Sequence, residues 1–156
     1  MPNISTVDRR ILDVLQSDAR RTNKSLAAEI GLAPSTTLDR VRDLERRGVI
    51  AGYHAEVDLR AMGRGLQAMI AVRIEPKTEA NVDRLVSRLE SLPETLAVFM
   101  MSGVDDVLVH VSVPDTDSLR HLVLTEIANQ PGVVDERTSL VFEHRRRTVV
   151  GVIEPR

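Results

Sequence analysis

Two stretches of the chain carry polar side chains in patterns that could do chemistry. The first, residues 35–47, mixes small hydroxyls with arginines. Small hydroxyls permit a close approach to a nucleic-acid backbone, and arginine can reach a guanine or a phosphate. The second, residues 101–106, places one glycine beside two carboxylates. Such a turn offers N–H groups to the carboxylate of a free amino acid and an acceptor to its ammonium group.

The first stretch is predicted to be the recognition helix of a helix-turn-helix that binds double-stranded DNA. Leu38, Val41 and Leu44 recur at helical spacing and form its inward face. A helix lying in the major groove presents its N-terminal outward side chains to base edges. The predicted DNA-contacting residues are Ser35, Thr36, Thr37, Asp39, Arg40, Arg46 and Arg47. An ordinary helical hairpin with a solvated polar face has the same periodicity and remains the alternative.

The second stretch is predicted to bind a small-molecule effector. The predicted effector-binding residues are Met101, Ser102, Gly103, Val104, Asp105 and Asp106. The alternative is a polar connecting loop whose glycine serves only the turn. The adjacent carboxylates also suggest a cation site, but two ligands in sequence are weak support for one. We therefore predict no metal.

The sequence predicts no catalytic centre. It contains no cysteine, and none of its four histidines stands at metal-ligand spacing to another. It has no P-loop, G-x-S-x-G elbow or H-E-x-x-H motif. We expect a protein that is not an enzyme and uses no cofactor. The basic run at residues 145–147 is interpreted as a solvated turn, although in an assembled ring it could touch DNA or a neighbour's acidic side chains.

Helical periodicity dominates the first 48 residues. A helix is predicted over residues 6–17, after Ser5 as its cap. A short second helix ends at Gly31. Pro34 begins a third helix, which Gly48 closes. This order predicts a helix-turn-helix.

An extended segment is predicted to follow the helices. Residues 49–58 are rich in β-branched side chains, which favour strands. They suggest that the helix-turn-helix is of the winged type. We assign residues 1–50 to this DNA-binding domain and residues 51–65 to an extended linker strand and loop.

The second half of the chain contains a repeat with a shift of 38 residues. Pro76 then falls on Pro114, and Pro93 falls on Pro131. Each copy has the order strand, proline, amphipathic helix, proline, strand. Two such units predict an α+β fold in which residues 66–156 form a ferredoxin-like βαββαβ sandwich.

One face of the predicted sheet is left without a helix to cover it. The two helices supply one apolar stripe each, which is enough for a single face. The opposite face is also apolar, and its side chains include Met69, Ala71, Phe99, Met101 and Leu108. Such a patch is too apolar to face water, so we expect it to pack against a second copy of the chain.

The composition excludes several classes of protein. The 156 residues are 42% hydrophobic and 28% charged with a formal net charge of −2, which is typical of a globular protein. Aromatic residues make up 2%, which excludes aromatic platforms for bases or sugars. Charged side chains interrupt the first 25 residues, and no apolar run approaches the roughly 20 residues needed to cross a bilayer. We expect a cytoplasmic protein without a membrane partner.

Along nearly its whole length, the sequence resembles the Lrp/AsnC (leucine-responsive, or feast/famine) family of bacterial and archaeal regulators. The shared motifs are Asp8-Arg9-Arg10-Ile11-Leu12, Asp18-Ala19-Arg20, Gly31-Leu32-Ala33-Pro34-Ser35-Thr36, Arg40-Val41-Arg42-Asp43-Leu44-Glu45, Gly48-Val49-Ile50-Ala51-Gly52-Tyr53, Ser102-Gly103-Val104-Asp105-Asp106 and Pro131-Gly132-Val133. Two positions depart from the family pattern. Ala33 replaces the usual serine, so the hydroxyl cap of the third helix is absent, at a typical cost of about 1 kcal/mol. Val107 replaces the usual aromatic residue, so the ligand need not be that of other members.

The resemblance implies a DNA-binding domain, a linker strand and a ligand-sensing domain that forms dimers and often rings of dimers. It also implies that Gly103 and Asp106 match the family's effector-binding glycine and aspartate. We predict a sequence-specific transcriptional regulator whose assembly or DNA affinity responds to an amino acid. It would be a homodimer that assembles further, for example into a tetramer of dimers. The alternatives are an effector-independent architectural DNA-binding protein and a ferredoxin-like regulatory module of amino-acid metabolism.

Overall fold

The computed structural model describes residues 4–153, which form two compact units. The helical unit contains the residues up to Glu56 together with those from Arg145 onward. The sheet unit runs from Val57 to His144. The chain therefore passes from one unit to the other twice.

This division differs from the predicted one at both ends of residues 66–156. At the C-terminal end, the backbone of Val150 is hydrogen-bonded to the side chain of Gln16, so the last described residues belong with the helices. At the other end, the carbonyl of Arg64 accepts a hydrogen bond of 2.8 Å from the Ser112 hydroxyl. The later part of the predicted linker thus folds with the sheet.

The helical unit contains three helices, of which the first two have side-chain caps at their N-termini. They are α1 (Thr6–Ser17), α2 (Asn23–Ile30) and α3 (Pro34–Arg46). Ser5 and Asp8 form a reciprocal capping box at the start of α1, as predicted. Gly31, with φ at 75°, ends α2 in the left-handed conformation that glycine adopts without strain. Ala33 offers no side-chain cap to α3.

The core of this unit is small and aliphatic. Its buried members are Ile11, Leu26, Ile30 and Leu44. The predicted extended segment, residues 49–58, forms no hydrogen-bonded strand in the structure. A strand needs a partner for its N–H and C=O groups, and no other strand lies in the described part of this unit.

The sheet unit has the predicted ferredoxin-like element order. Its elements are β1 (Leu66–Ile74), α4 (Glu79–Glu90), β2 (Thr95–Met100), β3 (Val107–Val113), α5 (Thr116–His121), a π-helical continuation of α5 (Leu122–Ile127) and β4 (Val133–Val141). The sheet order is β2-β3-β1-β4, and all three pairings are antiparallel. The α+β fold predicted from the 38-residue repeat is confirmed.

The two faces of the sheet differ in burial. On the face that carries the helices, Ile70, Val72, Val107 and Val109 are completely buried. On the opposite face, Phe99 of β2 is 48% exposed, although its neighbour on β3 is the apolar Leu108. Neither α4 nor α5 with its continuation covers this second face, because both pack on the first. Nor is any helix within residues 4–153 long and apolar enough to span a membrane.

Candidate DNA-binding helix and effector loop

The predicted recognition helix α3 presents a polar stripe to solvent. Its exposed side chains at spacings of four and three residues are Ser35, Asp39, Arg42 and Arg46. Thr36 lies beside this stripe and is also exposed. Residues at these spacings share one face of a helix, so they can meet one DNA groove together.

The structure removes Thr37 from the predicted DNA-contacting set. Its side chain is completely buried, and its hydroxyl donates a hydrogen bond of 3.0 Å to the carbonyl of Ala33. This bond satisfies the hydroxyl inside the unit. Thr37 therefore supports the start of α3 and has no access to DNA.

Arg40, also in the predicted DNA-contacting set, has a partner inside the helical unit. Its guanidinium donates a hydrogen bond of 3.0 Å to Oδ1 of Asp8, which is nearly buried and accepts the Ser5 N–H through Oδ2. Burial acts to raise the pKa of Asp8, but hydrogen bonds from Ser5 and Arg40 outweigh it and lower that pKa. One carboxylate thus caps α1 and joins it to α3. We infer that Arg40 positions the recognition helix instead of reading DNA.

Arg42 is the exposed arginine that the sequence analysis missed. Its side chain lies on the polar stripe, and no ion pair in the described residues engages it. The predicted inward residues Leu38, Val41 and Leu44 leave Arg40 and Arg42 symmetric, about 100° to either side of the apolar stripe. Thr37 lies on the same side of the stripe as Arg40, and it is buried. The buried face of α3 therefore extends toward Arg40, and Arg42 on the other side is exposed to solvent.

Arg46 and Arg47 lie at the C-terminal end of α3, close to the Asp43 carboxylate of the same helix. Both pair with Asp43, and the Arg47 guanidinium lies 2.9 Å from its Oδ2. The hydrogen bond from Arg47 lowers the pKa of Asp43 and outweighs the opposing effect of burial. The Arg46 side chain is 73% exposed, so it can turn toward a phosphate.

A second anchor joins the two helices of the helix-turn-helix. The Asn23 side-chain amide, at the start of α2, donates a hydrogen bond of 2.8 Å to the carbonyl of Pro34, the first residue of α3. This contact fixes the turn between the helices, and helix periodicity gives no signal for it.

The predicted effector loop connects β2 to β3. Met101 closes it by donating its N–H to the carbonyl of Asp106 at 2.8 Å. Ser102, Gly103 and Val104 are exposed at its tip. Gly103 has φ at 139°, a conformation that L side chains rarely adopt, with open space around its missing Cβ. A side chain there would strain the backbone without striking a neighbour.

Asp105 ties the loop to the neighbouring part of the sheet unit. The Arg137 guanidinium, on β4, donates to both carboxylate oxygens of Asp105 at 2.5 and 2.6 Å. The Asp105 side chain is largely covered, whereas the arginine is 56% exposed. Both contacts come from one nitrogen, Nη2, so the pair is charge-assisted but is not a fork of two nitrogens on two oxygens.

Asp106 lies beneath the loop and already has partners. It is nearly buried, and its Oδ2 accepts the Ile74 N–H at 2.9 Å. Its Oδ1 pairs with the ammonium group of Lys77, which is 58% exposed. Burial acts to raise the pKa of Asp106, but the Lys77 ammonium and the Ile74 N–H outweigh it and lower that pKa. The carboxylate predicted to hold a ligand's ammonium group is therefore occupied.

Lys77 is the loop neighbour that the sequence analysis missed. It lies between β1 and α4, about 30 residues before the loop in the chain. Only the antiparallel pairing of β1 with β3, which sets Val72 opposite Val107, brings the two segments together. The spacing of charges along the sequence contains no sign of this pair.

The histidines do not form a metal site. His110 is hydrogen-bonded to Gln67 at 3.0 Å, and its ring lies edge-on to that of His144. Burial lowers the pKa of His110, and the proximity of His144 adds to this effect. Within residues 4–153, no three His, Cys, Asp or Glu side chains lie together in a way that could hold a metal ion.

Comparison with known proteins identifies the family. The family model described as winged helix-turn-helix DNA-binding matches residues 4–51. The model described as Lrp/AsnC ligand binding domain matches residues 67–150, more than half of the chain. The chain belongs to the Lrp/AsnC family. It is a DNA-binding transcriptional regulator with a ligand-binding domain.

Relatives of this Lrp/AsnC chain match it over most of their length. The HTH-type transcriptional regulator AldR of Mycolicibacterium smegmatis is 38% identical over 92% of this chain and 84% of its own. The leucine-responsive regulatory protein of Klebsiella pneumoniae is 32% identical over 99% of this chain and 94% of its own. These relatives are transcriptional regulators and not enzymes, in agreement with the sequence prediction.

Solved structures of Lrp/AsnC regulators share the fold. A transcriptional regulator of Neisseria meningitidis, crystallised as a complex with L-Met, has a TM-score of 0.86 and 30% identity, covering 93% of this chain and 94% of its own. The crystal structure of MtbAldR has a TM-score of 0.78 and 34% identity, covering 94% and 97%.

Arg40 and Arg42 should respond differently to substitution by alanine. Arg40→Ala leaves the buried Asp8 carboxylate with one donor fewer, so it should destabilise the helical unit by about 1 to 3 kcal/mol. Arg42→Ala should leave the melting temperature unchanged and weaken specific DNA binding by about 1 to 3 kcal/mol if the side chain reads a base. Thermal denaturation and anisotropy titration with a duplex selected from random sequences measure the two effects.

If Arg40→Ala keeps the wild-type melting temperature but loses DNA binding, Arg40 is the DNA contact and the role assigned to it here is wrong. Unchanged binding by a variant with alanine at Ser35, Arg42 and Arg46 together would exclude α3 as the recognition helix.

Asp106 should make the stability of the sheet unit depend on pH in the acid range. Its folded-state pKa lies below the unfolded value of about 3.9, so the ionised carboxylate stabilises the fold above that pH. This contribution is lost as the pH falls through the folded-state pKa. Asp106→Asn should therefore lower the unfolding free energy at neutral pH, and the difference from wild type should shrink in acid. Chemical denaturation across the acid range measures both quantities.

Lys77→Met provides the matched control, because it removes the cation and keeps the carboxylate. Without the cation the folded-state pKa of Asp106 rises, so the carboxylate's contribution to stability should be lost at a higher pH than in the wild type. Equal stability of wild type and Asp106→Asn at neutral pH would show that the carboxylate contributes nothing to the fold.

Proposed function

We propose that this regulator changes its assembly or its DNA affinity when an amino acid binds at the loop of residues 101–106. The observation that carries the proposal is a pair of ion pairs at one loop, Lys77 with Asp106 and Arg137 with Asp105. In each pair the carboxylate is covered and the cation is largely exposed.

A zwitterion is the ligand that such a loop can accept without leaving a charge unpaired. Its ammonium group replaces one cation at a carboxylate, and its carboxylate pairs with the displaced cation and with N–H groups at the exposed loop tip. A ligand with a single charge would leave one partner unmatched, which is costly in a covered site. The proposal therefore names a free α-amino acid. The complex of the Neisseria meningitidis relative with L-Met supports this ligand class.

The site residues proposed for the effector keep the predicted set with altered roles. Ser102, Gly103 and Val104 supply the exposed backbone. Asp105 is the more accessible carboxylate, whereas Met101 closes the loop and Asp106 holds it to β1.

For DNA, we propose that the stripe on α3 provides sequence-specific contacts to double-stranded DNA. The proposed contacts are Ser35, Thr36, Asp39, Arg42 and Arg46, with Arg47 as a contact to phosphate. Binding to chromosomal DNA would place the protein in the cytoplasm.

We also propose that the open sheet face pairs with the same face of a second chain. Antiparallel register sets Ala71 opposite Leu108 and Leu108 opposite Phe99, which makes an apolar band across three strands. A closed two-fold interface buries identical apolar patches against each other. Such dimers would then associate further, for example into a tetramer of dimers.

An effector-independent architectural protein is the second candidate function. The specific observation in its favour is that both loop carboxylates already have internal partners. Chromatin immunoprecipitation of the tagged protein, with and without amino-acid supplementation, distinguishes the two. Occupancy that changes with supplementation favours a sensor, and unchanged occupancy favours the architectural protein.

Amino-acid binding should be visible as thermal stabilisation. Ligand bound to the folded state raises the melting temperature by mass action, so one or a few of the twenty amino acids should stabilise the wild type. Gly103→Val should abolish this response, because a β-branched residue cannot keep the loop at φ of 139°.

Gly63→Val serves as the control, since Gly63 also has positive φ and open space around it but lies outside the loop. It should retain the ligand response. Absence of any response at millimolar concentration, or a response that survives in Gly103→Val, would count against the effector site.

Assembly should depend on the open sheet face. Leu108→Arg places an unpaired charge in the proposed interface and should dissociate or aggregate the protein. Leu124→Arg makes the same change on the exposed side of the π-helical segment and should leave the assembly intact. Light scattering measures the mass of each. A folded wild-type species of 17.3 kDa at micromolar concentration would refute the dimer.

A further inference from the structure

The two units carry opposite net charges. The residues up to Glu56 and from Arg145 onward contain thirteen Lys or Arg against nine Asp or Glu, a net charge of +4. The sheet unit, residues 57–144, contains eight against fourteen, a net charge of −6. The positive charge expected of a DNA-binding protein is therefore concentrated in the unit that contains the helix-turn-helix.

Most of this positive charge comes from the C-terminal segment and not from the helices. The residues up to Glu56 contain nine Lys or Arg against eight Asp or Glu, a net charge of only +1. Arg145, Arg146 and Arg147 supply the other three charges. Without these three arginines, the net charge of the helical unit would be close to zero, and its attraction to DNA would be correspondingly weak.

A double hydrogen bond holds the C-terminal segment to α1. The side-chain amide of Gln16 donates to the carbonyl of Val150 at 3.1 Å and accepts the N–H of Val150 at 2.9 Å. One amide thus satisfies both backbone groups of Val150, as a neighbouring strand would. We call this contact the Gln16 latch.

The C-terminal segment lies beside residues 49–56, which follow α3 in the sequence. Arg146 and Thr148 line a cleft together with residues 49–56 and the C-terminal part of α1. In a winged helix-turn-helix, the wing follows the recognition helix in the sequence. Here, residues 48–57 contain neither lysine nor arginine and form no strand. The basic side chains beside this region come from the C-terminal segment instead.

Arg146 and Arg147 are available for an external anion. Both are exposed, and among the described residues no carboxylate forms an ion pair with either. Exposed arginines in a unit of positive net charge match the chemistry of DNA phosphates, which guanidinium groups bind through paired hydrogen bonds.

We propose that the C-terminal segment is a second DNA-contacting element of the helix-turn-helix unit, in which Arg146 and Arg147 bind phosphates and the Gln16 latch holds them in place. This inference rests on the DNA-binding function stated above. It assigns affinity to the C-terminal segment and sequence preference to α3, because phosphate contacts add strength without reading bases.

The test compares two pairs of arginines with the same total charge. The full-length protein is titrated by anisotropy against a fluorescent duplex of mixed sequence between about 50 and 200 mM salt. Arg146→Ala with Arg147→Ala should make the slope of log affinity against log salt shallower by about 0.9 for each lost contact. Arg84→Ala with Arg120→Ala removes two exposed arginines from the sheet unit and should leave the slope unchanged.

The possible results separate this inference from its premises. Equal slope changes in both pairs would mean a general effect of net charge and would overturn the proposal. So would no change in either pair, or a change of oligomer mass without a change of slope, which would assign the arginines to a neighbouring chain. A wild type that binds no duplex at all would overturn both the proposal and the DNA-binding function.

The latch is tested by combining substitutions. Gln16→Ala should reproduce the shallower slope, and adding the Arg146 and Arg147 substitutions should then have little further effect. Ser17→Ala is the matched control, because its hydroxyl donates a hydrogen bond to the Asp13 carbonyl within α1. A full effect of the arginine substitutions in the Gln16→Ala protein would overturn the role of the latch.

Discussion

Each unit of this protein contains one buried carboxylate that needs hydrogen-bond donors from the surrounding protein. A carboxylate removed from water is stable only if hydrogen bonds and a cation replace its hydration. Asp8 obtains them from the start of α1 and from α3, and Asp106 obtains them from the end of β1 and from Lys77. In each unit at least one donor lies 32 residues from the carboxylate, Arg40 for Asp8 and Ile74 for Asp106, so each carboxylate ties together segments that are distant in sequence. The proposed recognition helix α3 is held in this way in one unit, and the proposed effector loop in the other.

Regular patterns in the sequence predicted the elements well. Helical spacing, the Ser5 and Asp8 cap, the glycine stop and the proline start are local features, and each helix of the first unit follows from them. The proline-punctuated repeat predicted the sandwich because its period reflects two equivalent βαβ units, with strands that alternate between a covered and an open face.

The side-chain partners were less predictable, because they depend on tertiary contacts. Arg40 and Arg42 flank the apolar stripe equally, and only the burial of a threonine hydroxyl distinguishes them. Lys77 meets Asp106 through strand register, which charge spacing does not encode. The contact of the C-terminal segment with the helical unit was unpredictable for the same reason. Its contact with Gln16 joins residues 134 positions apart, beyond the reach of any periodic pattern.

The long separation of the Gln16 latch has a consequence for the order in which the protein is completed. A ribosome releases the N-terminal helices first, whereas Val150 is added only after the whole sheet unit has been synthesised. The sheet unit is in effect an insertion within the helical unit. A nascent or truncated chain that ends before residue 145 would contain all three helices but lack the latch and its arginines. The helical unit thus reaches its finished form only in a chain that already contains the strands and helices of the ligand-binding domain.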